Sequence, residues 1–287
     1  MIAKDLISKE QMTSFIDKAL YEDVREGDHT SLACIPTGNR NTAKLLVKDP
    51  CVLAGVELAK HIFERVDPNY EMNIFLEDGQ SANYGQTAFE VTCNARALLK
   101  AERLVLNTMQ RMSGIATMSN RFAFEVEDLP VKILDTRKTT PLLRFLEKWA
   151  VRLGGCNNYR DGLYDWIMIK DNHIDACGGI RQAIEKVAAY QAENRYNLGV
   201  TVEVRNLNEL DEVLEVGQVT RIMLDNFELP LLRAAVQVVN GRFETEASGG
   251  ITINTVRKIA KSGVDYISSG ALTHSAQSMD LSLKIIK

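Results

Sequence analysis

The 287-residue sequence lacks the features of a secreted or membrane protein. No apolar run approaches the roughly 18 residues that span a membrane. The N-terminal segment carries acidic residues throughout and has no uninterrupted apolar core, so we predict no signal peptide. The 5 cysteines are an odd number, with no CxxC pair and no spacing typical of zinc ligands. These absences predict a cytoplasmic protein with reduced thiols and no membrane partner.

An excess of one charge is also lacking, since 34 Lys and Arg residues nearly balance 38 Asp and Glu residues. The formal net charge of -4 argues against a protein that binds nucleic acid through its overall charge. With 45% hydrophobic residues, the chain can bury a sizeable core in one large domain or two modest ones. Because the overall charge is nearly balanced, a local cluster of basic residues is informative about what the protein binds.

Four cations lie close to the ends of two apolar runs, VKIL and WIMI. They are Arg137, Lys138, Arg160 and Lys170. If the runs are neighbouring parallel strands, the four charges converge on one pocket. Two unit charges about 4 Å apart repel by roughly 4 kcal/mol at an effective dielectric near 20, so an anionic ligand would offset the cost of the cluster.

The first half of the chain has the pattern of strands with one covering helix. The runs TAKLLVK, CVLAG, EMNIFLE and TAFEVTCNA are separated by short turns, and GVELAKHIFERV has helical periodicity. This pattern predicts an open α+β sandwich over residues 1–110, with a helical region that continues to about residue 130.

The second half alternates between strand and helix. About six such units fit between Pro130 and His274, which predicts a parallel sheet with helices outside. Because the number is short of eight, we predict an incomplete α/β barrel over residues 111–287, with a final helix at about 276–287 that packs back on the first domain. A further helix should follow the basic loop, capped by Thr140 and opened by Pro141.

Carboxylates end two consecutive strands of this region, at Glu203 and Asp225. In barrels the site lies at the C-terminal ends of the strands, so both should point to one mouth. Each could simply pair with a nearby arginine, such as Arg205 or Arg221. Facing a cationic wall, the two could instead bind Mg²⁺ or ribose hydroxyls, or stabilise a developing positive charge.

Glycine-rich turns follow the last two strands, at Ser248-Gly249-Gly250 and at Ser269-Gly270-Ala271. Bare backbone N–H groups in such turns, at the start of a helix, can hold a phosphate. Barrel phosphate sites commonly use the loops after the final two strands. Each turn alone could be ordinary turn chemistry, but two in succession predict a phosphate site.

Several longer motifs run through both halves of the chain. They are GDHT at 27–30, AERLVLN around Arg103, SGIAT at 113–117, DTRKTTP at 135–141, EKWAV at 147–151, NYRDGLYD at 158–165, IKDNHI at 169–174, EV at 203–204, MLDN at 223–226, ASGGI at 247–251 and the ending GVDYISSGALTHSA. In these residues and their order the chain resembles the quinolinate phosphoribosyltransferase family.

The resemblance implies a fold and a reaction. The family has an α+β sandwich followed by an incomplete α/β barrel, and its subunits pair as a homodimer, or a higher oligomer, with shared active sites. Quinolinate and phosphoribosyl pyrophosphate react with Mg²⁺, and without an organic cofactor, to give nicotinate mononucleotide, pyrophosphate and CO₂ in NAD biosynthesis.

The resemblance also implies roles for individual residues. Arg137, Arg160 and Lys170 would bind quinolinate, with Arg103 arriving from the partner subunit. Lys138 and Lys170 would face the pyrophosphate, and Glu203 and Asp225 the ribose and the metal. These four residues, Lys138, Lys170, Glu203 and Asp225, are the predicted catalytic set. Thr136 and Tyr159 complete the predicted substrate site, and the predicted phosphate site comprises Ser248, Gly249, Gly250, Ser269, Gly270, Ala271 and His274.

One motif departs from the family. Where the family generally has Asn-His-Arg, this chain has Asn158-Tyr159-Arg160, and Cys156 replaces a third glycine. A tyrosine can donate one hydrogen bond to a carboxylate but cannot supply the cation of a charged histidine. Weaker quinolinate binding, or a different pyridine acid as acceptor, therefore stays open.

Two other functions fit part of the pattern. A Schiff-base aldolase on a barrel would use Lys170, whose neighbouring cations could favour its neutral amine. A non-catalytic sensor of phosphorylated metabolites would bind the sugar phosphate without turnover, and would have no need of the paired carboxylates.

Overall fold

The computed structural model describes residues 8–286, which form eleven helices and twelve strands. The helices are α1 (Lys9–Val24), α2 (His29–Cys34), α3 (Val56–Val66), α4 (Ala95–Glu125), α5 (Arg144–Leu153), α6 (Asp171–Cys177), α7 (Ile180–Asn194), α8 (Leu207–Val216), α9 (Leu229–Val239), α10 (Val256–Ala260) and α11 (Ala271–His274). The strands are β1 (Arg40–Val47), β2 (Cys51–Val52), β3 (Glu71–Ile74), β4 (Ser81–Ala82), β5 (Thr87–Asn94), β6 (Lys132–Leu134), β7 (Ile167–Ile169), β8 (Val200–Val204), β9 (Arg221–Asp225), β10 (Glu244–Ser248), β11 (Tyr266–Ser268) and β12 (Leu281–Ile286).

The chain divides into two compact units. The first unit comprises the residues up to Asn120, Phe145–Gly155 and the residues from Ala276 onward. The second unit comprises Arg121–Arg144 and Cys156–Ser275.

The first unit contains an antiparallel sheet of four strands in the order β12-β1-β5-β3. Side chains at every second position of β1, from Ala43 through Leu45 to Val47, are buried on one face of this sheet. Phe63 of α3 packs edge to face against Phe89 of β5, with ring centroids 6.2 Å apart. The helix thus contributes to the core beneath the sheet, as an α+β sandwich requires.

The predicted helix at about 276–287 is wrong, because its central part is the strand β12. Leu281–Ile286 pairs antiparallel with β1, and Leu281 and Leu283 are buried while Ser282 between them is partly exposed. Alternate burial with a period of two belongs to a strand. Pairing with an edge of the sheet satisfies the backbone groups of both strands.

The second unit contains a parallel sheet of six strands in the order β6-β11-β10-β9-β8-β7. Helices alternate with these strands along the chain. Together with the antiparallel first unit, this sheet confirms the predicted class of an α+β sandwich followed by an incomplete barrel of about six strands.

The strands formed by the apolar runs VKIL and WIMI are not neighbours. The condition under which we expect the four cations to converge is therefore not met. β6 and β7 are the two edge strands of the sheet. The turn before β7 lies against β6 instead, through a parallel bridge between Leu134 and Asn157. Backbone hydrogen bonds from Asn157 N to Ile133 O (2.8 Å) and from Asp135 N to Asn157 O (3.0 Å) hold the turn there.

The helix after the basic loop begins at Arg144, so the prediction that Thr140 caps it and Pro141 opens it is wrong. Residues 141–143 form a turn in which the Leu143 N–H donates to Thr140 O at 3.1 Å. Leu142 has a φ of 66°. A leucine at positive φ cannot continue a right-handed helix, so the chain turns there before the helix starts.

The five cysteines, Cys34, Cys51, Cys93, Cys156 and Cys177, all lie within residues 8–286 and form no disulfide bonds with one another. Burial raises the pKa of the Cys51 and Cys93 thiols to about 11. Among residues 8–286, no helix combines the length and the apolar content that crossing a membrane needs.

Gly114 gives a test of packing within the first unit. It lies inside α4, and a Cβ atom there would stand 2.0 Å from the backbone oxygen of Gln277. We expect Gly114→Ala to lower the free energy of unfolding by about 1–3 kcal/mol, because backbone atoms must move apart. Urea denaturation would measure this as a lower midpoint.

A matched control for this test is Asn107→Ala, at an exposed position of the same helix. Its free energy of unfolding should stay within about 0.5 kcal/mol of the unchanged protein. Equal stability of the Gly114→Ala and Asn107→Ala variants would contradict the close contact.

Candidate active site

One cavity of about 690 Å³ lies in the second unit, at the C-terminal ends of its parallel strands. Every predicted site residue except Arg103 lines it, from Thr136, Arg137 and Lys138 after β6 to Ser269, Gly270, Ala271 and His274 after β11. The cavity is also lined by residues that the sequence analysis did not select, which are Met168, Met223, Asn226, Ile251, Thr252, Ser268 and Ser275. The sheet topology therefore brings the C-terminal ends of successive strands to the same cavity.

Two arginines form a part of the wall that carries uncompensated positive charge. Neither Arg137 nor Arg160 makes an ion pair with any described residue, and the buried Arg137 Nε has no hydrogen-bond partner among them. Arg160 Nη1 donates to Trp166 O at 3.3 Å. Burial, followed by the nearby charge of Arg137, lowers the pKa of Arg160. Such a pair of cations suits a ligand with more than one negative charge.

The turn that carries Arg160 is held by a carboxylate. Asp135 is fully buried at the end of β6. It accepts hydrogen bonds from the backbone N–H of Tyr159, at 2.8 Å, and from the side-chain amide of Asn158. These bonds place Tyr159 and Arg160 in the wall of the cavity.

A third cation, Lys170, forms an ion pair with Glu203. Glu203 is nearly buried, at 7% exposure, whereas the side chain of Lys170 reaches further into the open cavity. The backbone N–H of Lys170 donates to His173 Nδ1 at 3.0 Å, where α6 begins. The strand end is thereby fixed, and the ammonium and the carboxylate face the cavity together.

The alternative in which Glu203 and Asp225 pair with Arg205 or Arg221 is wrong. Arg205 pairs with Glu209 and Asp175, and Arg221 pairs with Glu244 and Glu246.

Asp225 of β9 has an amide partner: it accepts a hydrogen bond of 2.6 Å from Asn226 Nδ2. Asp225 and the Lys170–Glu203 pair thus form a polar wall of the cavity, next to the two arginines.

Two glycine-rich loops form a further part of the wall. Gly249 and Gly250 have φ values of 99° and 58°, a region that glycine adopts most readily. The hydroxyl of Ser269 donates to Ile251 O at 2.7 Å and so ties the two loops together. The helix after the first loop, α10, begins only at Val256. Anion binding there would depend on loop N–H groups and hydroxyls, not on an adjacent helix terminus as predicted.

Family models match almost the whole chain. The model described as quinolinate phosphoribosyl transferase, N-terminal domain, matches residues 28–113, and the model of the C-terminal domain matches residues 115–284. The chain belongs to the quinolinate phosphoribosyltransferase family. Both halves of the sequence are covered in the order that the resemblance predicted.

Individual proteins of this family are similar over most of their length. Quinolinate phosphoribosyltransferase [decarboxylating] 1b of Nicotiana tabacum is 47% identical over 285 residues, covering 94% of this chain and 81% of that protein. The probable nicotinate-nucleotide pyrophosphorylase [carboxylating] of Bacillus subtilis is 40% identical, covering 96% and 93%. The solved structure of the nicotinate-nucleotide pyrophosphorylase from Francisella tularensis has a TM-score of 0.91 at 35% identity, covering 98% of both chains.

Arg103 lies exposed on α4, in the first unit. Its contribution from a partner subunit therefore stays a prediction. Among residues 8–286, no group of three or more His, Cys, Asp or Glu side chains could hold a metal ion. A metal held by Glu203 and Asp225 would need further ligands from the substrate or from water.

A polar network extends beneath the cavity, and the sequence analysis did not predict it. Tyr159 contacts Thr201, and Arg221 donates to Glu246 at 3.1 Å and stacks over the Tyr266 ring at 3.6 Å. Burial raises the pKa of the Glu246 carboxyl, against the opposing effects of Ser268 and Arg221.

A simple signal in the sequence could have found this network. Side chains of a strand alternate between its two faces, so the residue two positions before a site residue lies on the same face. Thr201 precedes Glu203 by two positions, and Glu246 precedes Ser248 by two. Choosing the residue two positions before each predicted strand-end residue would have selected Thr201 and Glu246.

Gly249 and Gly250 give a matched test of the phosphate loop. A Cβ atom at Gly249 would stand 2.2 Å from Asn226 Oδ1, whereas one at Gly250 would meet nothing within 4 Å. We expect Gly249→Ala to weaken the binding of ribose 5-phosphate at least tenfold, because the loop must move. Gly250→Ala should cause a smaller loss, from positive φ alone, of about 1 kcal/mol. Isothermal calorimetry would measure both, and equal losses would contradict this geometry.

Proposed function

We propose that this chain transfers the phosphoribosyl group of phosphoribosyl pyrophosphate to quinolinate with loss of CO₂. The products are nicotinate mononucleotide and pyrophosphate, a step of NAD biosynthesis. The observation that carries the proposal is a single cavity that joins two unpaired arginines to a polar wall of carboxylates and to two glycine-rich loops. Those three parts match a dianionic acid, a ribose and a phosphate.

The acceptor acid is proposed to lie against Arg137 and Arg160. The two carboxylates of quinolinate would replace the missing counter-charge of these arginines, with Lys170 as a third cation. Met168 and Met223 also line the cavity and offer apolar surface to a flat ring. A monocarboxylate would leave more of the arginine charge without a partner, so a diacid is favoured.

The donor is proposed to bind across the other parts of the cavity. The loops at Ser248–Gly250 and Ser269–Ala271 would hold the 5-phosphate, with His274 beside them. Lys138 would face the pyrophosphate together with Lys170. Point charges of this kind suit phosphate oxygens, whose positions vary as the leaving group departs.

Transfer begins when the bond between C1 of the ribose and pyrophosphate breaks and its electron pair leaves with pyrophosphate. Positive charge then develops on C1 and the ring oxygen, and Glu203 and Asp225 would stabilise it more in the transition state than in the ground state. The pyridine nitrogen forms the new bond to C1. The enzyme's residues mainly hold the two reactants in line.

Decarboxylation follows from the new positive charge on the ring nitrogen. The bond between C2 and its carboxylate breaks, CO₂ leaves, and the electron pair stays on C2 because the ring nitrogen stabilises it. A proton then adds to C2 and completes nicotinate mononucleotide. No organic cofactor is needed for these steps.

Mg²⁺ is proposed as a cofactor that arrives with the pyrophosphate of the donor. Glu203 and Asp225 fit such an ion, because Mg²⁺ at phosphate sites is usually held by one or two carboxylates together with substrate oxygens and water. When bound, it neutralises charge on the pyrophosphate.

The rival aldolase function fits less well. A Schiff-base lysine needs a neutral amine, whereas Lys170 is engaged by the Glu203 carboxylate. A sensor without turnover would have no use for that carboxylate. A phosphoribosyltransferase for another pyridine acid is kept as the second candidate, because Tyr159 occupies the position where the family generally has histidine.

We also propose a cytoplasmic location, from the absence of paired cysteines among the described residues. Related proteins named as mitochondrial or chloroplastic exist, so imaging of the full-length protein in its own cells is the direct test.

The proposed function is tested by supplying quinolinate, phosphoribosyl pyrophosphate and Mg²⁺ and measuring CO₂ and nicotinate mononucleotide together. We expect equal amounts of both. Lys170→Ala should lower turnover at least tenfold, a loss of about 1.4 kcal/mol of transition-state stabilisation. Lys186→Ala, at an exposed position on α7, is the matched control and should retain activity. Binding of the sugar phosphate without consumption of quinolinate would refute quinolinate as the acceptor.

We further propose a homodimer in which Arg103 completes the partner's cavity. In that case, inactive Arg103→Ala and Lys170→Ala proteins should recover activity when their subunits exchange. Random pairing gives mixed dimers with one intact site, or about a quarter of the original sites. Turnover after mixing would measure the recovery.

The control for this mixing experiment is Lys138→Ala with Lys170→Ala. Both residues line the same cavity of the same chain, so mixed dimers contain no intact site. Recovery in this control, or no recovery with Arg103→Ala despite proven exchange, would argue against a shared site.

A further inference from the structure

Tyr159 meets the acceptor part of the cavity in an unexpected orientation. Its hydroxyl lies 2.6 Å from the hydroxyl of Thr201, which has 0% exposure. Tyr159 itself is only half-buried and lines the cavity. Because the hydroxyl end reaches a fully buried partner, the part of the side chain that faces the cavity is the aromatic ring.

Thr201 also holds a second aromatic residue, which contacts Tyr159. The indole Nε1–H of Trp166 donates to Thr201 Oγ1 at 2.8 Å. The Trp166 ring packs edge to face against Tyr159, with centroids 6.0 Å apart and an interplanar angle of 66°. One threonine hydroxyl therefore fixes two rings that also contact each other.

The arginines of the acceptor wall depend on the same arrangement. Arg160 follows Tyr159 in the chain, and its guanidinium donates to Trp166 O. The Arg221 guanidinium lies 5.1 Å from the centre of the Tyr159 ring. A shift of Tyr159 would therefore be transmitted to Arg160 through the backbone and through Trp166.

The hydrogen-bonding capacity of Thr201 is compatible with both contacts. An indole N–H can only donate, so the threonine oxygen accepts from Trp166. Its own proton and its second lone pair remain, and either can serve the tyrosine hydroxyl. In both cases the Tyr159 oxygen is directed at Thr201 and at the fully buried Glu246, with which it also forms a hydrogen bond.

We infer that Thr201 is a positioning residue that sets acceptor specificity, by holding Tyr159 so that its ring, and not its hydroxyl, forms the wall against which the planar acid lies. The inference rests on the proposed function. It implies that Arg137, Arg160 and Lys170 supply the charge recognition of the acid, while the Tyr159 ring selects a flat acceptor by shape.

A double-mutant cycle tests the inference. Thr201→Val, Tyr159→Phe and the double variant would be compared with the unchanged protein by KM for each substrate, by kcat, and by calorimetric binding of quinolinate. Both single variants remove the hydrogen bond between Tyr159 and Thr201, and Tyr159→Phe also removes the hydrogen bond of the Tyr159 hydroxyl with Glu246. Each should therefore raise KM for quinolinate by about three- to tenfold, and the double variant by no more than the larger single effect.

A purely structural defect would not produce this pattern. KM for phosphoribosyl pyrophosphate should change by less than about twofold in all three variants, so that the effect is confined to the acceptor. Thr201→Ser, which keeps the hydroxyl, should recover most of the affinity for quinolinate that Thr201→Val loses.

The matched control is Thr245→Val in strand β10 of the same sheet. Thr245 is also buried, and its hydroxyl donates to Asp265 at 2.8 Å, but it lines no part of the cavity. It should lose stability without a change in KM for quinolinate. A rise in KM as large as that of Thr201→Val would overturn the inference.

Other results would overturn it as clearly. A loss in Tyr159→Phe at least tenfold greater than in Thr201→Val would mean that the hydroxyl acts through a group other than Thr201, either Glu246 or the acid itself. Additive effects would mean that Tyr159 and Thr201 act independently. An unchanged protein that neither binds nor consumes quinolinate would refute the proposed function together with the inference. An active protein with the wrong pattern among the variants would refute the inference alone.

Discussion

The parallel sheet depends on the buried carboxylate of Asp135, which joins the end of β6 to the turn that precedes β7. Asp135, at the end of β6, binds the backbone of Tyr159 and the side chain of Asn158. A carboxylate without water is stable only when several donors surround it, so this turn is held against β6. This contact places Arg160 next to Arg137, although β6 and β7 do not lie side by side in the sheet.

Charge in the cavity is divided between groups that are compensated and groups that are not. Lys170 has Glu203 as an ion-pair partner, whereas Arg137 and Arg160 face each other's charge and form no ion pair with any described residue. Burial of like charges costs free energy that the fold must supply. In return, the two cations already lie close together in the wall of the cavity before any ligand binds, as a site for an anion requires.

Strand ends could be predicted well because their signals are local. Turn residues and polar residues that stop apolar runs located Lys170, Glu203, Asp225 and both glycine loops, and all of them line the cavity. Predictions that depended on long-range pairing were less successful. The convergence of the four cations is predicted on the condition that VKIL and WIMI are neighbours, but these runs form the two edges of the sheet. The C-terminal segment has few residues and a mixed pattern, and its pairing with β1 made it a strand.

Apart from the C-terminal strand β12, the sequence by itself determined the order of strands and helices and the chemical types at the strand ends, because periodicity and turn preference involve only neighbouring residues. Only the tertiary structure decided which side chains meet. Lys170 meets Glu203, Tyr159 meets Thr201, and Arg221 meets Glu246, across separations of 33, 42 and 25 positions. Such pairs depend on strand order and register, which exist only once the sheet has formed.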